Sequence, residues 1–123
     1  MRARGLAVAV VAMAVSSACT PSMKDLQGQP ADAVVGYTST DPAHVRDCVK
    51  AQVVQRDDGR GSYVEFEEGD RAVLGQQLVS GYGPMGLTWL AEFYPDRAEI
   101  RGMKHISGWH GSDLPPMIRD CAA

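Results

Sequence analysis

The stretch Leu87–Tyr94 reads LTWLAEFY, and its alternation decides the fold. Leu87, Trp89, Ala91 and Phe93 recur at period two, the pattern of a strand with one buried face. Pro95-Asp96 follows as a turn, and Ala98–Lys104 reads as the returning hairpin partner, with Ala98 and Ile100 facing in. Upstream, Ala72–Ser80 (AVLGQQLVS) is a second strand, and the glycine-rich Ser80–Gly86 (SGYGPMG) is the loop that joins it to Leu87. In SYVEFEEGD, Val64 and Phe66 alternate with Glu65 and Glu67, which predicts a half-buried strand with an acidic outer face.

Further out lies one helix. Asp41-Pro42 places an N-cap acceptor before a proline at the first helical position. Val45, Cys48, Val49 and Val53 then fall at helical spacing, so the helix runs from Pro42 to about Val54 with an apolar stripe that carries Cys48 inward. Charge and glycine in Gln55–Gly61 end it. Ala33–Thr38 (AVVGYT) is a short β-prone run, and LPPMIRDCAA predicts a short C-terminal helical turn that brings Cys121 back to the main helix. The expected fold is α+β: one main helix on a four- to five-stranded antiparallel meander sheet. Consecutive hairpins argue against a doubly wound fold.

The first residues read as an address rather than as fold. Arg2 and Arg4 precede LAVAVVAMAV, Leu6–Val15, and the small residues Ser16-Ser17-Ala18 follow. An apolar run of this length is about half the roughly 20 residues a bilayer core demands, and fits a signal-peptide hydrophobic region. Residues 1–18 are therefore expected to be removed. The whole chain carries 12 Lys+Arg against 15 Asp+Glu, and losing Arg2 and Arg4 leaves 10 against 15, a formal net charge of −5. Such an acidic domain lacks the cationic cluster that nucleic acid or anionic lipid would require, so no nucleic-acid partner is expected.

Val15-Ser16-Ser17-Ala18-Cys19 resembles the lipobox of bacterial lipoproteins, in which a dedicated signal peptidase cuts before a cysteine bearing diacylglycerol. The family usually has Leu where Ser16 stands, and Ser16-x-Ala18 also satisfies the general small-x-small cleavage site. Two outcomes stay open: lipidated Cys19, or an ordinary cut before it. The resemblance implies acyl chains, palmitate among them, that hold Cys19 in the membrane. Thr20 in place of Asp resembles the pattern of products sent to the outer membrane, facing the periplasm. Thr20–Asp32 (TPSMKDLQGQPAD) has little apolar content and no period, so residues 19–32 are expected to be a lipidated cysteine and flexible tether, and residues 33–123 the folded domain.

Cys48 and Cys121 remain, and an even remainder in an exported chain reads as a disulfide rather than as two buried thiols. Closing the loop of about 74 residues between them stabilises by roughly 4 kcal/mol in the chain-entropy model. A metal site would need further ligands nearby, and none is evident. The layout of tether, helix with inward cysteine, meander and terminal cysteine is similar to small proteobacterial envelope lipoproteins of unassigned function.

Candidate chemistry is sparse. His105, His110 and Asp113 invite an acid/base or metal reading as a small periplasmic hydrolase or sugar-binding enzyme, but the histidine spacing of five in a glycine-rich loop matches no helical ligand pair. Ser107 and Ser112 lack a nucleophile elbow. Glu65, Glu67, Glu68 and Asp70 lack EF-hand spacing. His44 is expected on the solvent side of the first helical turn. Tyr82 and Met85, with Trp109 in the second glycine-rich loop, form the surface that best suits a partner. The expectation is a non-catalytic binding or scaffold module, needing no cofactor or metal, whose partner is another envelope protein, as for an inhibitor or immunity factor.

Overall fold

The computed structural model describes residues 22–39, 41–57, 61–80, 83–102 and 110–123. The elements are α1 (Met23–Gln27), β1 (Ala33–Gly36), α2 (Pro42–Arg56), β2 (Ser62–Glu68), β3 (Arg71–Ser80), β4 (Gly83–Phe93), β5 (Arg97–Arg101) and α3 (His110–Ala122). Five antiparallel strands form one sheet in the order β1-β5-β4-β3-β2, confirming the α+β architecture. Strands β2 to β5 are the expected meander. β1 adds to its far edge, so the connection through α2 carries the chain from one edge of the sheet to the other.

Both long helices cover the same face. Val45, Val49 and Val53 of α2 and Leu114, Met117 and Ile118 of α3 pack on Leu74, Trp89, Ala91, Phe93, Ala98 and Ile100. α2 begins as its sequence dictates, with Asp41 Oδ1 accepting from the His44 backbone N–H at 3.3 Å and Pro42 at the helix start. Arg46 on α2 is buried beside the valine stripe and donates to the Phe66 carbonyl at 3.0 Å, which satisfies a backbone acceptor of edge strand β2.

The terminal element is longer than expected. α3 runs for 13 residues through Pro115 and Pro116, because Leu114, Met117 and Ile118 supply an apolar stripe whose burial outweighs two missing backbone donors. Cys121 at its end bonds Cys48 on α2, with the Cα atoms 5.7 Å apart.

Four other expectations are corrected. Residues 22–32, expected as tether, fold onto the opposite face of the sheet. Ser22 caps α1 in a reciprocal capping box with Asp25, and Leu26 is fully buried against Val73, Leu87 and Leu90. The faces of β2 are reversed: Val64 and Phe66 pack into this second cluster under α1, whereas exposed Glu65 and Glu67 share the face of the helices and Lys50 reaches Glu65 at 2.7 Å. Leu87 leaves the face of Trp89 because a bulge between Gln76 and Gln77 skips Thr88 in the β3–β4 register. The hairpin loop shortens, since β3 extends through Ser80 and β4 begins at Gly83.

Candidate functional site

The face away from α2 and α3 divides into two halves. One is apolar and lies under α1. The other is ionic and is built by strand alternation: in β5, Ala98 and Ile100 enter the main core, so Arg97, Glu99 and Arg101 must project from the opposite face. Glu92 of β4 lies on that face, where it is 2% exposed.

These side chains form a continuous ladder. Arg101 Nη1 meets Glu92 Oε1 at 2.6 Å and Arg101 Nη2 meets Glu99 Oε1 at 2.7 Å. The other oxygen of Glu92 lies 2.9 Å from Arg71 Nη1, and that of Glu99 lies 2.8 Å from Arg97 Nε. Tyr94 closes the arrangement. Its ring has the Arg97 guanidinium 4.2 Å from the centroid and that of Arg71 at 5.9 Å, and its hydroxyl accepts from Arg71 Nη1 at 3.0 Å. Arg101 Nε donates to the Gln29 carbonyl at 2.8 Å, so the ladder also holds the segment that follows α1. Burial alone would raise the Glu99 carboxyl, but hydrogen bonds from Arg101 and Arg97 outweigh it and hold the group below its ordinary range.

A second network sits where α2 ends. Tyr63 donates to Asp57, Gln76 Nε2 donates to Asp57 Oδ2 at 3.1 Å, and Trp89 Nε1 donates to Gln76 Oε1 at 2.8 Å. Burial, with the Asp57 carboxylate beside it, pushes the Tyr63 hydroxyl well above its usual value. Both networks join elements of the fold: the first pairs charged groups with one another, and the second holds Asp57 with neutral donors. Beside the ladder, Arg71 lines a depression with Asp41, Ala43, Glu67 and Asp70 whose volume is about 180 Å³, below the roughly 300 Å³ at which small-molecule sites begin.

Of the residues singled out in the sequence, Cys48 and Cys121 are bonded to each other, and His44 is exposed at the start of α2. Asp113 lies on α3 with Oδ2 at 2.6 Å from Arg56 Nη1. Met85 stands on β4 and His110 opens α3, but their side chains, like Cys19, Tyr82, His105 and Trp109, lie outside the described residues. Among the described residues no cluster of His, Cys, Asp and Glu could hold a metal ion, and no helix is long and apolar enough to cross a membrane. The ionic ladder was missed from sequence. Its signals were the charges alternating with Ala98 and Ile100 in RAEIR and the lone acid in LTWLAEFY. No protein-family model, curated protein or solved structure matches the chain.

Proposed function

We propose that this chain is an exported lipoprotein of the bacterial cell envelope, anchored through Cys19 and working as a non-catalytic binding or scaffold module. The observation that carries the reading is the Cys48–Cys121 disulfide. Such bonds persist in oxidising compartments, where the charged head, apolar run and small residues of positions 1–18 would deliver the chain. The lipobox-like order ending at Cys19 supports a lipid anchor, and Thr20 supports an outer-membrane address facing the periplasm. The character of the charged groups supports a binding role: Arg71, Glu92, Arg97, Glu99 and Arg101 hold one another across three strands, and Asp113 is engaged by Arg56. The surface assigned to an envelope protein partner is that of Tyr82, Met85 and Trp109.

Intact mass of the membrane fraction tests processing. The expected mass is that of residues 19–123 plus acyl-glyceryl groups, rising by two hydrogens on reduction. An unmodified soluble product beginning at Cys19 would overturn the anchor. Capture of an envelope protein that is lost on alanine substitution at Tyr82, Met85 and Trp109 is the outcome expected for the binding surface, and capture unaffected by those changes refutes it.

A further inference from the structure

We infer that the anchored domain has almost no tether and lies against the bilayer with its α1-covered sheet face turned to the lipid. The inference rests on lipidation at Cys19. Ser22 is already the cap of a helix docked on the sheet, with Leu26 fully buried and the following turn held by Arg101. Only Thr20 and Pro21 separate Cys19 from Ser22, and three residue steps reach at most about 11 Å even when fully extended. A free segment from Thr20 to Asp32 would instead span up to roughly 45 Å. The leash therefore emerges from one particular face of the domain and is shorter than the domain is thick.

A second observation concerns that same face. Val34 is 58% exposed, and among the described residues it is the one large hydrophobic side chain left in solvent. Val35 enters the main core, so Val34 must point to the α1 side, where it stands opposite Glu99. Exposed Lys24 lies on α1, which covers another part of the same sheet face. An apolar side chain and an ammonium facing the headgroup region suit a lipid surface, whereas α3, with exposed Arg119 and Asp120, lies on the far side of the sheet.

The test uses the full chain, lipidated and reconstituted in phospholipid vesicles that carry a headgroup energy-transfer acceptor. A donor is placed by unnatural-amino-acid incorporation at position 24 in one sample and at position 119 in another. The expected result is a donor at position 24 closer to the headgroups by about two layer spacings, roughly 20 Å. A twelve-residue Gly/Ser spacer inserted between Pro21 and Ser22 is expected to collapse that difference. Equal transfer from both positions, or a difference that survives the spacer, overturns the inference. Intact mass of the same samples separates the two levels of the argument: an unacylated product overturns anchor and orientation together, while an acylated product with equal transfer overturns the orientation alone.

Discussion

Glu92 and Arg101 meet at 2.6 Å on the sheet face turned away from the two long helices, and Arg101 bridges from there to Glu99. Glu92 and Glu99 are direct cross-strand partners in the β4–β5 register. Like charges placed so are destabilising, and the guanidinium between them converts the clash into a clamp. Replacing Arg101 by Met should therefore cost more than a lost surface pair: roughly 3 kcal/mol, because two carboxylates are left facing each other. Denaturant unfolding of Arg101→Met, and of the same change combined with Glu92→Gln, checks this. The double variant should recover part of the loss, since it removes one of the two facing carboxylates.

The ladder also sets the acid limb of stability. The Glu99 carboxyl is held below its ordinary range in the folded chain, burial being outweighed by Arg101 and Arg97. Its contribution is then fully present above the unfolded value, about 4.3, and is lost as pH falls through the lower folded value. Glu99→Gln should flatten the fall of melting temperature between about pH 5 and pH 2. An acid limb identical to that of the unsubstituted protein would show that Glu99 does not carry it.

How much of this was legible follows from what alternation can and cannot say. Trp89, Ala91 and Phe93 share a face by period alone, and they do share the main core. The same rule grouped Val64 with Phe66 correctly but could not tell which of two faces they enter, and α1 gives the sheet a second one. Leu87 was lost to a bulge, since one skipped residue inverts every assignment beyond it. α1 escaped because five residues hold no period, and its stability comes from Leu26 in the pocket formed by Val73, Leu87 and Leu90. The disulfide was legible from number and context. The partner surface rested on Tyr82, Met85 and Trp109, where glycine-rich sequence carries no pattern that fixes side-chain direction.

At the alkaline end the probe is Tyr37. Burial, then Asp96, opposed by Arg97, pushes its hydroxyl up to about 12. A group raised in the folded state stabilises fully below its unfolded value, about 10, and loses that contribution as pH rises through the folded one. Absorbance titration of phenolate should show a component near pH 12 that disappears in Tyr37→Phe. The variant should also lose less stability than the parent between about pH 10 and pH 12.

Cys48 and Cys121 hold the middle of α2 to the end of α3. Replacing both with Ser should lower unfolding free energy by up to about 4 kcal/mol in the chain-entropy model, read by denaturant titration without reductant. In hydrogen exchange, core amides that exchange through global unfolding should then accelerate by that same free energy. Because Leu114, Met117 and Ile118 remain in the core without the bond, local opening should add a further rise only in the last turn of α3. Unchanged exchange of the core amides would mean the bond contributes nothing to global stability.

Leu26 decides whether α1 is part of the domain. Its side chain is fully buried although the helix that carries it has only five residues, too few to persist undocked. Truncating a buried leucine costs about 2–5 kcal/mol when the surrounding structure must stay in place. Here the segment can leave, so the global cost of Leu26→Ala is capped at what docking contributes, and the loss should appear locally. Hydrogen exchange is expected to accelerate across residues 23–29, with limited proteolysis in the same stretch, while the core valines of α2 stay protected. Gly102→Ala attacks the same junction from below. At φ +88° a side chain is strained, and a Cβ there would sit 2.8 Å from the Thr88 carbonyl oxygen and 3.5 Å from Leu26 Cδ2. The clash with the Thr88 carbonyl should loosen the β4–β5 end beneath α1, while the approach to Leu26 is an ordinary contact that leaves it in place. Retained protection of residues 23–29 in Leu26→Ala would mean that α1 is held by Arg101 and the Ser22 cap rather than by Leu26.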